Sequence, residues 1–69
     1  MIKLHYTDGT PVWVNPAHIL RLEPGFNEHG ESLTCLYMIG PDRVETLFVL
    51  GKPQTIASVI NKLYRSINN

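Results

Sequence analysis

Only the C-terminal stretch of this chain has apolar residues at helical spacing. Ile56, Val59, Ile60, Leu63, Tyr64 and Ile67 follow one another at steps of three, one, three, one and three, which puts them on a single stripe of one helix. The spacing predicts that helix over about 53–67, and Pro53 suits its first position, where a missing amide costs nothing. The residues before Gly51-Lys52-Pro53 alternate with period two between turn-forming clusters. With one helix available, its apolar stripe has to bury against a sheet. The chain has 69 residues and a single cysteine, Cys35, so no intramolecular disulfide can supplement a core of this size. Self-association is expected to add what the small core lacks.

The alternation predicts strands at about 2–7, 11–14, 18–23, 32–39 and 43–50. Ile2, Leu4 and Tyr6 share one face of the first, and Asp8-Gly9 after it is a strong hairpin signal, because glycine accepts the positive φ that tight turns need. Asn15-Pro16 breaks the pattern after Val14, since the residue before proline avoids helical geometry. Pro24-Gly25 is expected to stop the third strand and to open a polar loop over 24–31. Gly40-Pro41-Asp42 joins the fourth strand to the fifth. Those two strands are apolar on both faces: Leu33, Cys35, Tyr37 and Ile39 alternate with Leu36 and Met38, and Val44, Phe48 and Leu50 with Leu47 and Val49. They read as central strands covered on two sides. The expectation is one domain spanning 1–69, of α+β class and mainly β: a five-stranded antiparallel sheet or small open barrel with one C-terminal helix.

Charge and motif content exclude more than they identify. Lys and Arg total 6 against 6 Asp and Glu, so the basic surplus on which phosphate-backbone affinity rests is missing. The neutrality hides a split, because Lys52, Lys62 and Arg65 follow the last acid, Glu45; basic residues there suit a helix C-terminus. No apolar run is long enough for a membrane span or a signal peptide, and a cytoplasmic location is expected. His5, His18, His29 and Cys35 lack the close spacing of a metal site, although His5 and His18 sit on strands that can adjoin. Cys35 alternates with Leu33 and Tyr37, which suggests a core thiol rather than a nucleophile. Glu23, Glu28, Glu31, Asp42 and Glu45 mark no acid–base pair, and Gly51-Lys52-Pro53 is not a phosphate loop. The chain therefore reads as a non-enzyme with no cofactor and no metal.

Two surfaces remain. Trp13, Leu36, Met38, Leu47 and Val49 form a candidate apolar interface for a second copy or another protein, since large exposed apolar patches mark such sites. Trp13 with Lys3 and Arg21 is the alternative, an aromatic platform among basic residues of the kind that small barrels offer to single-stranded nucleic acid. Balanced charge favours the first.

The order Ile2-x-Leu4, Asp8-Gly9, Val14-Asn15, Ile19 and Glu23, with Val49 and then Val59 and Ile60 in the helix, resembles the FlbD-like family of small flagellar and swarming-motility proteins. The chain departs from that pattern in the longer stretch Pro24–Glu31 and in Gly51-Lys52-Pro53, where the family has a Glu-Ser/Thr helix start. The resemblance implies a non-catalytic bacterial accessory protein that acts through partners.

Overall fold

The structure is a computed structural model that describes residues 1–68, with side chains placed through Arg65. Its elements are β1 (Ile2–His5), β2 (Pro11–Val14), a short 3-10 turn (Pro16–His18), β3 (Ile19–Phe26), β4 (Ser32–Ile39), β5 (Val44–Leu50) and α1 (Pro53–Asn68). The chain is mainly β with one C-terminal helix, as the periodicity predicts. The five strands do not form a single sheet or a closed barrel. β1 and β2 make a two-stranded antiparallel sheet, and β3, β4 and β5 make a three-stranded one in that order.

The first hairpin follows from Asp8-Gly9. The Tyr6 amide donates to the Thr10 carbonyl at 2.8 Å, the Asp8 carboxylate accepts from the Thr10 amide at 2.9 Å, and Gly9 takes φ +89°. That amide bond, reinforced by the Thr10 hydroxyl, holds the Asp8 carboxyl below its ordinary pKa. Tyr6, expected inside the first strand, instead forms an isolated bridge to Val49 and so ties the small sheet to the edge of the larger one. At the next corner the Asn15 side chain accepts from the Ala17 amide at 3.0 Å and caps the 3-10 turn.

β3 departs from the expected pattern at both ends. A bulge between Ile19 and Arg21 leaves Leu20 exposed and turns Ile19 and Leu22 towards the core, because an extra residue inverts the alternation beyond it. Pro24-Gly25 does not stop the strand, which pairs with β4 as far as Phe26 opposite Ser32. β3 is an edge strand, where a proline is tolerated because one side of the ladder has no neighbour. The connection shrinks to a turn organised by Asn27: its side-chain oxygen accepts from the His29 and Glu31 amides, both at 2.9 Å, and its side-chain nitrogen donates to the Glu31 carboxylate at 3.0 Å.

Ile2, Leu4, Val14, Leu36, Val49 and Ile56 form the core between the two sheets and the helix, flanked by Val12, Ile19, Leu22, Met38, Leu47, Ile60 and Leu63. Thr34 is buried with them, and its hydroxyl donates to the Gly51 carbonyl at 2.9 Å, so the turn leading into α1 is anchored to the central strand. Of the helical stripe, Ile56, Ile60 and Leu63 pack inward while Val59 and Tyr64 remain exposed; the Ile67 side chain lies outside the described residues. The central-strand expectation is corrected here. β1, β2 and α1 pack on one face of the three-stranded sheet; on the other, Leu33 is buried near the start of α1, while Ile39, Val44 and Phe48 are exposed.

Candidate interaction surface

Directly paired residues on neighbouring strands share a sheet face, so the register alone sorts this surface. Across β3, β4 and β5, Glu23, Cys35 and Phe48 stand in one row and Arg21, Tyr37 and Thr46 in the next. The rows beyond them are Gly25, Leu33 and Leu50 at one end and Ile39 with Val44 at the other. This is the face turned away from the core. Ile39 and Val44 are each 54% exposed and Phe48 is 56% exposed, while Cys35, Tyr37 and Leu50 are half-buried. The surface is apolar along β4 and β5 and charged along β3.

The charged margin is internally organised. The Arg21 Nε lies 3.3 Å from the Glu23 carboxylate, its guanidinium stacks 4.2 Å from the centre of the Tyr37 ring, and the Tyr37 hydroxyl donates to the other Glu23 oxygen at 3.3 Å. The neighbouring Cys35 side chain is the main influence that raises the Tyr37 pKa, with Arg21 opposing it. The cluster fixes the orientation of one cation and one anion side by side. Both remain open to solvent, so the pair positions charge more than it stabilises the fold.

The five residues expected to form one apolar interface do not share a surface. Leu36 and Val49 are 0% exposed and belong to the core, and Met38 and Leu47 pack against it. Only Trp13, 60% exposed on β2, faces outward. The reason is the side from which β1, β2 and α1 approach: they cover the face that carries Leu36 and Val49 and leave the Cys35 face open. Cys35, expected in the core, is consequently half-buried on the outer face.

The nucleic-acid alternative is also divided by the fold. Lys3 sits opposite Trp13 across β1 and β2, with its ammonium 5.7 Å from the centre of the indole ring. Arg21 lies on the other sheet, engaged by Tyr37 and Glu23. The three do not form one basic aromatic platform. His5 pairs with Pro11 in the small sheet and His18 ends the 3-10 turn. Among the described residues no group of three or more His, Cys, Asp or Glu side chains is placed to hold a metal ion. A groove of about 340 Å³ lies between the end of β3 and the start of α1, lined by Pro24, Phe26, Leu33, Lys52, Pro53 and Gln54 among others. Its lining holds one titratable side chain, Lys52, and so no acid–base pair.

Sequence reasoning missed Ile39, Val44 and Phe48 as surface residues. The signal lay in β3, where Arg21 and Glu23 must face water; the register that places Tyr37 and Cys35 beside them then turns the same face of β4 and β5 outward. No family model, curated protein or solved structure matches the chain.

Proposed function

We infer that this chain is a non-catalytic binding or assembly module whose working surface is the outer face of β3, β4 and β5. The observation that carries the reading is the exposure of Ile39, Val44 and Phe48 together on one face of a sheet whose other face is the core. Apolar residues grouped in this way mark a contact surface, and a 69-residue chain has little apolar content to leave unused. The FlbD-like resemblance gives the module a setting, as a bacterial, cytoplasmic accessory of flagellar or swarming motility that works by holding proteins together.

Capture from a lysate of the native host tests this reading, with wild type, Trp13→Ala and Phe48→Glu immobilised in parallel. Wild type and Trp13→Ala are expected to retain the same material, whether further copies of the chain or another protein, and Phe48→Glu to lose it. Equal retention by Phe48→Glu would remove the outer face as the working surface.

A further inference from the structure

We propose that the outer face of β3, β4 and β5 pairs with the same face of a second copy. The two-fold axis runs across the strands, between the Glu23–Cys35–Phe48 row and the Arg21–Tyr37–Thr46 row. This pairing rests on the reading of that face as the working surface, and it names the occupant.

Charge selects the axis. A two-fold rotation between these rows lays each over the other, so Arg21 meets Glu23 of the second copy and Glu23 meets its Arg21. The rotation carries the half-buried Leu50 over the row of exposed Ile39 and Val44, apolar on apolar at both ends, with the neighbouring Leu33 already buried within its own chain. Two sheets stacked in this way sit about 10 Å apart with strands nearly aligned, and the contact is isologous, as two-fold dimers require. An axis parallel to the strands would instead set the charged margin of β3 over Phe48 and its neighbours, desolvating the Arg21–Glu23 pair with no opposite charge from the second copy.

Area agrees with this occupant. The chain exposes 4940 Å², whereas a folded monomer of 7.8 kDa is expected to expose about 4,400 Å². The excess of about 500 Å² is shared among this face, Trp13, Phe26 and α1, and the part that falls on this face suits a small interface. Three strands of some seven residues present a face of about 14 by 24 Å, which is the same scale. A reversible dimer follows, smaller than the obligate class.

Elsewhere Trp13 on β2 and Leu20 and Phe26 at opposite ends of β3 are exposed singly, and α1 exposes Val59 and Tyr64. The α1 exposure suits a second copy poorly. Lys52, Lys62 and Arg65 accompany it with no acid after Glu45, so helix-on-helix pairing of two copies would oppose like charges.

Sedimentation equilibrium from low micromolar to near-millimolar protein tests the pairing, with circular dichroism confirming that each variant is folded. Wild type is expected to pass from the mass of one chain to that of two. Phe48→Glu should remain at one chain throughout. Arg21→Glu should raise the dissociation constant about a hundredfold, as opposed like charges do at an interface, and the double variant Arg21→Glu/Glu23→Arg should recover most of that loss. Val59→Asp should behave as wild type. The pairing is overturned by a wild type that stays at one chain, by a dimer indifferent to Phe48→Glu, or by a charge swap that recovers nothing. A monomeric wild type leaves the broader binding-module reading to the lysate capture, where Phe48→Glu decides it separately.

Discussion

Leu36→Ala and Phe48→Ala should differ sharply in their cost to stability, because their strands present them to opposite sides of one sheet. Leu36 is fully buried among Ile2, Leu4, Val14, Val49 and Ile56. Truncating such a leucine removes its transfer free energy and leaves a cavity, a loss of about 2–5 kcal/mol. A single core in a domain this small supplies a net stability of about 3–5 kcal/mol, so the variant should be close to unfolded at room temperature. Phe48 is more than half exposed, and Phe48→Ala should cost the folded monomer less than about 1 kcal/mol. Urea titration followed by far-ultraviolet circular dichroism, at dilutions where the chain is monomeric, separates the two. Wild type and Phe48→Ala should give cooperative transitions with similar midpoints, and Leu36→Ala a transition that begins without denaturant. A larger loss for Phe48→Ala than for Leu36→Ala would refute the assignment of the two faces and everything built on it.

Thr34→Val keeps the shape of a buried side chain but removes its bond to the partly exposed Gly51 carbonyl; the same titration should show a loss of about 0.5–1.5 kcal/mol, the net contribution of one hydrogen bond. Asp8 has its carboxyl pKa lowered by the Thr10 amide, so its contribution to stability is present above the ordinary carboxylate pKa and is lost as pH falls through the lower, folded value. Thermal melts taken downward from neutral pH should therefore show a shallower acid slope for Asp8→Asn than for wild type, and identical slopes would dismiss the turn as a source of the pH dependence. Single-stranded DNA or RNA added at low salt should leave Trp13 fluorescence unchanged, because Arg21 is engaged on the other sheet; saturable quenching would restore the nucleic-acid reading.

What was legible in the sequence is local. Asp8-Gly9 marked its hairpin, Gly40-Pro41-Asp42 its turn and Pro53 the helix start, since each rests on backbone geometry that one or two residues decide. Pro24-Gly25 misled because the stop signal assumes that both sides of a strand are paired, and β3 has a neighbour on one side only. The bulge at Leu20 had no signal in residue type. The inverted faces of β4 and β5 have a more general cause. When both faces of a strand carry apolar residues, alternation shows that two faces exist without showing which is covered. That is decided by where β1, β2 and α1 dock, and their approach is a tertiary event. Apolar character groups Trp13, Leu36, Met38, Leu47 and Val49; burial separates Trp13 from the other four.

The covered or open state of the outer face can be read from its own cysteine. Cys35 stands in the same row as Phe48, half-buried and without a disulfide partner, so its reaction with a thiol-specific disulfide reagent reports whether that face is free. The rate should be high in dilute solution and fall as protein concentration rises through the range where the mass doubles, and Phe48→Glu should show no such fall. A rate that is independent of concentration while wild type forms dimers would contradict the account, because the contact would then lie somewhere other than this face.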